Sequence, residues 1–239
     1  MRTPPVGSVL VAEALGTFLF FFVGMGAVVL DNHTGGGAGG LLGVALAHGL
    51  ALAVLVSALG AVSGAHFNPA VTLGVLMTGR IGPALAGMYV AVQLLAAVAA
   101  GLALRFVFPA SSWEPVALGT PAVDGGIGVV SAIVIEAILT VLLVLVVFGT
   151  AIDRRAPKLG GLAIGLAVTA DILMGGPLTG AAMNPARWFG PAVASGTFVD
   201  WYVWWIGPLL GGAVAALIYR LALEDRSEPD VTPATPEGT

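Results

Sequence analysis

The chain has 239 residues, 58% of them hydrophobic and only 9% charged, far below the roughly one quarter of charged residues usual in soluble proteins. With a formal net charge of −4 it has no basic patch to neutralise phosphates, so nucleic acid is excluded as a partner. It has no cysteine, which excludes disulfides, thiolate chemistry and cysteine-based metal sites, while its 35 glycines suit helices that approach closely in a membrane.

In chain order, apolar stretches are read at Ser8–Leu30, Leu41–Ala61, Pro83–Phe108, Val129–Thr150, Leu159–Gly175 and Trp201–Leu223. Each approaches the roughly 20 residues that cross a hydrocarbon core as a helix. The first is too long for a cleaved signal peptide, carries Glu13 and ends without a small-residue cleavage site. Gly35–Gly40 reads as a flexible external linker, not a nucleotide cradle. Two shorter segments, Asn68–Gly79 and Asn184–Ser195, are each about 17 Å long as helix, too short to cross alone. Residues 1–7 form a short N-terminus, and the tail 224–239, rich in Pro, Thr and acids, is expected to be disordered.

Both short segments open on the same tripeptide, Asn68-Pro69-Ala70 and Asn184-Pro185-Ala186, inside a longer repeat: Ser63 to Gly74 aligns without gaps on Thr179 to Gly190. Asn caps free N–H groups, and Pro suits the first helical position because it has no N–H to leave unpaired. Two such starts in so apolar a chain predict two half-helices that begin inside the membrane and line a pore. The halves, about 8–108 and 129–223, repeat more widely. Ala12 to Thr17 matches Ile135 to Thr140, and Tyr89-Val90 answers Tyr202-Val203. With three spans per half, the second half enters inverted, which places a site near the bilayer midplane. The fold class is therefore an all-α membrane protein with six spans and two re-entrant half-helices in an inverted 3+3 repeat. Placing the N-terminus in the cytoplasm puts Arg2, Arg80, Arg154, Arg155, Lys158, Arg220 and Arg226 inside and only Arg105 and Arg187 outside, so both termini are expected to be cytoplasmic.

On these residues the chain resembles the aquaporins of the major intrinsic protein family, along essentially all of 8–223. The resemblance implies a homotetramer in the lipid bilayer, one pore per protomer, with water as substrate. It also implies an aromatic/arginine filter whose four positions fall on His48, Ile172, Ala181 and Arg187. His at position 48 with Ile at 172 resembles plant tonoplast intrinsic proteins, whose implied substrates are water and, for some, ammonia or hydrogen peroxide. His48, with a reference pKa of about 6.5, is expected to alter permeability between pH 5 and 8. Glycerol facilitators are the nearest rival, but they carry Asp after the second box's Arg, where this chain has Trp188, and lack the pair Trp204-Trp205. The bulk of Trp188 either narrows the mouth or packs on a neighbouring span.

Intramembrane carboxylates are costly and usually functional. Glu13 and Glu136 are expected to brace the loops before each half-helix, freeing the carbonyls of Gly64, Ala65 and His66 and of Gly180, Ala181 and Ala182 to line the pore. A proton-coupled carrier would use such groups differently and is the third reading. Asp171 either pairs with a polar group or faces a neighbouring helix, and His66 is read as holding its loop. No His-Glu-x-x-His, Gly-x-Ser-x-Gly or phosphate-binding glycine loop points to an enzyme, a cofactor or a metal. A prokaryotic inner membrane is the expected location.

Overall fold

A computed structural model describes residues 4–156 and 159–225; the expectations for Arg2, Lys158, Arg226 and the tail after Asp225 lie outside these residues. The helices are α1 (Val6–His33), α2 (Gly40–Ser63), α3 (Pro69–Met77), α4 (Pro83–Val107), the short α5 (Ala110–Trp113), α6 (Val129–Val147), α7 (Gly160–Thr179), α8 (Pro185–Ser195) and α9 (Val203–Ile218). A 3₁₀ turn spans Ala117–Gly119, and π-helical turns, Phe148–Ile152 and Tyr219–Leu223, extend α6 and α9. The described residues contain no strand. Among the described residues six helices are long and apolar enough to cross a membrane: α1, α2, α4, α6, α7 and α9. The half-helices α3 and α8 have 9 and 11 residues, so end to end they reach about 30 Å, one hydrocarbon core.

One boundary moves appreciably. The Gly-Gly-Pro sequence after Met174 reads as a stop, yet α7 runs on to Thr179 with Pro177 inside it. Pro177 removes one N–H from the last turn only, and Gly180, at φ 77°, closes the helix by donating its N–H to the Gly176 carbonyl at 3.0 Å.

The packing has the symmetry of the repeat. α1 packs on α2 as α6 does on α7, α1 on α4 as α6 on α9, and α3 on α9 as α8 on α4, while α2 and α7 pack on each other at the centre. Glycines make these approaches possible. A methyl group on Gly190 of α8 would lie 2.5 Å from the Ala97 carbonyl oxygen of α4, and one on Gly212 of α9 would lie 2.5 Å from the Ala70 carbonyl oxygen of α3. Outward, the spans expose Leu15, Leu50, Leu95, Ile138, Leu166 and Leu210, one from each, a face suited to lipid rather than water.

Candidate functional site: a pore between two opposed half-helices

Asn68 and Asn184 cap α3 and α8 in matching extended conformations, with φ −157° and −156°. The Asn68 side-chain oxygen accepts the Ala70 N–H at 2.8 Å, and that of Asn184 accepts the Ala186 N–H at 3.0 Å. Their amide groups reach across the repeat. Asn68 Nδ2 donates to the Met183 carbonyl at 2.9 Å and Asn184 Nδ2 to the Phe67 carbonyl at 3.0 Å. Each carboxamide nitrogen therefore has one hydrogen committed to the opposite half and one left over. Both asparagines line a cavity of about 780 Å³.

The loops before the boxes zigzag through left-handed backbone: Ala65 and Phe67 have φ 51° and 49°, Ala181 and Met183 have φ 43° and 52°. Such conformations cost roughly 1–2 kcal/mol per non-glycine residue, so something must hold them. In the first loop it is Glu13, fully buried, whose oxygens accept from Ser63 Oγ, the N–H groups of His66 and Phe67, and Gln93 Nε2 at 2.7–2.9 Å. In the second it is Glu136, which accepts from Thr179 Oγ1 and the N–H groups of Ala182 and Met183, again at 2.7–2.9 Å. The N–H groups of His66 and Ala182 go to the carboxylates, those of Ala65 and Ala181 to Ser63 Oγ and Thr179 Oγ1, and those of Gly64 and Gly180 to the preceding helix; the carbonyls of all six residues accept no hydrogen bond from the described residues. All six residues except Gly180 line the large cavity, and Gly180 lines a second one, of about 480 Å³.

The two cavities share Ile172 and Arg187, so they meet at these two side chains. Arg187, 6% exposed, donates from Nε to His48 Nε2 at 3.1 Å and from Nη1 to the Gly119 carbonyl at 2.8 Å. A guanidinium has five N–H groups, so three remain for the channel. His48 Nδ1 lies 2.9 Å from the Val44 carbonyl, which can only accept; Nδ1 therefore carries the hydrogen and Nε2 is the acceptor that Arg187 uses. Both ring nitrogens are committed. A second proton would break the bond to Arg187 and set two cations together, which corrects the expectation that His48 titrates between pH 5 and 8. Gly24 makes room for this ring: a methyl group there would overlap it. Ala181, 2% exposed, lines the large cavity with His48 and Ile172.

Three further side chains have other surroundings. Trp188 lines neither cavity; it is buried and stacks on Trp204, ring centroids 5.6 Å apart, so its bulk fills the α8–α9 contact and not the mouth. His66 lies 3.1 Å from Thr72 Oγ1 and edge-on to Tyr89. Asp171 is 1% exposed and no described residue hydrogen-bonds to either of its oxygens.

Three contributors escape the sequence reading. The Gly119 carbonyl is delivered by a turn whose Ala117, Leu118 and Gly119 all have positive φ, anchored by the fully buried Leu118, and no motif announces it. Gln93 carried a signal, a lone amide in an apolar span. Tyr89 Oη donates to the Ser63 carbonyl, and its counterpart is Trp204, whose Nε1 donates to the Thr179 carbonyl, not the Tyr202 that the repeat alignment pairs with it.

Near the end where α6 meets α7, Arg80 pairs with Glu224, Arg155 bonds Asp153 and the Leu223 carbonyl, and Arg220 bonds the Met77 carbonyl. The Arg155 side chain beside Asp153 holds its carboxyl well below the usual carboxylate range.

A sequence profile of the family described as Major intrinsic protein matches residues 1–219. Aquaporin TIP4-4 of Zea mays is 46% identical over 214 residues, covering 87% of this chain and 83% of that protein. Probable aquaporin TIP3-2 of Arabidopsis thaliana is 46% identical over 221 residues, covering 87% and 81%. Among solved structures, the aquaglyceroporin from Plasmodium falciparum superposes with a TM-score of 0.80 at 25% identity, covering 91% of this chain and 97% of that one.

Proposed function

The chain belongs to the major intrinsic protein family, and from that premise we propose that it is a passive transmembrane channel for water that excludes protons and ions. The observation that carries this reading is the reciprocal pair of bonds from Asn68 to Met183 and from Asn184 to Phe67. It holds two half-helix N-termini face to face, each with about half a positive charge, at a point where both amides keep a free hydrogen. A water that accepts from both amides turns its own hydrogens away and cannot relay a proton along the file. Half-helix dipoles and an Arg repel cations in aquaporin-type pores in the same way.

The route runs past Asn68 and Asn184, along the six free carbonyls on one wall and apolar side chains such as Leu52, Val56, Leu143 and Val168 on the other. Carbonyls replace part of water's hydrogen bonding and the apolar wall keeps residence short. At the constriction, His48, Ile172, Ala181 and Arg187 act as the selectivity filter, with the Gly119 carbonyl as a fixed partner of Arg187. The small Ala181 leaves room beside Arg187 for ammonia or hydrogen peroxide as further solutes. Glu13 and Glu136 serve as loop braces: carboxylates already holding four and three donors have nothing to gain from shuttling protons, which argues against a proton-coupled carrier.

Both termini face the cytoplasm in this reading, supported by Arg80, Arg155 and Arg220 gathering at one end while Arg105 bonds Ala194 at the other. The exposed apolar faces leave surface for lipid and for neighbouring protomers in a homotetramer. The plant origin of the relatives gives no support to a prokaryotic inner membrane. The deciding test is stopped-flow light scattering of proteoliposomes under osmotic, glycerol and ammonia gradients, with an internal pH dye. Rapid water flux without proton flux is expected; solute accumulation driven by a pH gradient would overturn the reading.

A further inference from the structure

Among the buried acids of the membrane interior, one differs from the others. Glu13 accepts from four donors and Glu136 from three, so every oxygen of both is hydrogen-bonded. Asp171 is just as buried, at 1% exposure, and neither oxygen has a donor among the described residues. It stands on α7 immediately before Ile172, which lines both cavities, yet it lines neither cavity itself. One turn further along α7, Gly175 faces the side chains of Leu139, Ile135 and Ala181, an apolar surface made by α6 and the loop before α8.

Its charged surroundings are few. α7 packs mainly on α2, on α6 and on the π-helical turn Phe148–Ile152. The first two contribute one ionisable group each, His48 and Glu136, and the turn contributes none. His48 is committed at both ring nitrogens, and Arg187, beyond it, is committed to His48 and Gly119. The charge that acts on Asp171 is that of Glu136, of like sign. An ionised carboxylate here would be undonated, unpaired and repelled. A buried acid in that position stays neutral. The neutral form needs only one acceptor, and a helix offers the carbonyl one turn back, as it does to buried Ser and Thr hydroxyls.

We propose that Asp171 is a proton-binding site behind the filter, carried as the neutral acid in the conducting channel and coupled to conduction through Ile172. Loss of the proton puts a second negative charge beside Glu136, which braces the 179–183 loop that carries Ala181 and leads to Arg187. The new carboxylate recruits water or a cation only if α7 shifts away from α6, and Ile172, the next residue, moves with it into the constriction. Water conduction therefore falls reversibly as the pH rises through the point where Asp171 ionises. This coupling rests on the channel reading; the protonation itself does not.

The experiment uses the full chain in proteoliposomes, wild type and Asp171→Asn, whose amide has the shape of the neutral acid and cannot ionise. Infrared spectra at neutral pH are expected to show a protonated-carboxyl stretch that moves with carbon-13 labelling of aspartate, is absent from Asp171→Asn and fades at alkaline pH. Stopped-flow water permeability should fall several-fold over the same pH range in the wild type and stay level in Asp171→Asn. Absence of the labelled band at neutral pH overturns the proposal, and that measurement on the wild type stands even if the variant does not fold. Coincident permeability profiles in the two proteins overturn the coupling. A wild type that conducts no water at any pH overturns instead the channel reading, and the coupling with it.

Discussion

The two halves of the molecule solve the same mechanical problem with different charges. Each must turn a strained loop so that its carbonyls face the pore, and each does so with one buried glutamate on its first span. In the first half every partner of Glu13 is a neutral donor, with Gln93 supplying the fourth bond. The second half has no such amide on Glu136; it has instead Arg187, three residues after Asn184, and an aromatic stack of Trp188 on Trp204 behind it. The frame is symmetric and the charge is not: the buried guanidinium of Arg187 stands in the second half, with no cation at the matching place of the first, where Val71 follows Ala70.

The largest test of this division is Arg187→Ala. It removes the cation of the proposed filter and strips the partners from His48 Nε2 and the Gly119 carbonyl. Glycerol or cation leakage measured in proteoliposomes is expected to rise far more than thermal stability falls. A variant with unchanged selectivity would move the constriction elsewhere.

Next come the two glutamates, compared as Glu13→Gln and Glu136→Gln. A glutamine brings an NH₂ group to face donors, and each buried donor left without an acceptor costs about 1–3 kcal/mol. Both variants should therefore lower the thermal unfolding temperature in detergent by similar amounts. Only Glu136→Gln should also change solute selectivity, because its loop carries Ala181 and leads to Arg187. Equal selectivity changes in both would mean the charge asymmetry is without consequence.

A smaller effect is expected from His48→Phe. The bond from Arg187 to Nε2 requires the neutral ring, so wild type and variant should differ by a constant factor in water permeability from pH 5 to 8. A ratio that changes through that range would restore His48 as a titrating group.

How far these features were legible in the sequence follows from their chemistry. Asn68, Asn184, Glu13, Glu136 and Arg187 are polar exceptions in an apolar chain, recurring at matched positions, so composition and repetition reveal them. The six spans follow from hydropathy alone, with end shifts of a few residues where caps and Pro177 decide. Gly119 acts through its backbone carbonyl, which every residue has, and only the three-dimensional path of Ala117–Gly119 brings it to Arg187. Trp204 does the work of Tyr89 because both present a donor at the loop carbonyl, although an alignment by residue type pairs Tyr89 with Tyr202. That His48 is locked was beyond the sequence, since it depends on which nitrogen meets which partner.

The halves also differ in the connection between their first two spans, and here the expected effect is smallest. Between α1 and α2 the linker is glycine-rich, with Gly35, Gly36 and Gly39 at positive φ. Its counterpart after α6 is held by Asp153, which accepts from Arg155 Nη2 at 2.6 Å and from Tyr219 Oη at 3.3 Å, while Arg155 reaches the Leu223 carbonyl. Asp153 has its carboxyl pKa lowered, chiefly by the Arg155 hydrogen bond. A depressed carboxylate contributes stability that is fully present above its unfolded value, about 3.9. That contribution disappears only as the pH falls through the lower folded value. The difference in unfolding temperature between wild type and Asp153→Asn should therefore be small, because Arg155 is 55% exposed and water and salt screen the pair, and constant from pH 5 to 8. A difference that widened between pH 5 and 8 would mean that another group titrates in this connection and that Asp153 does not hold it alone.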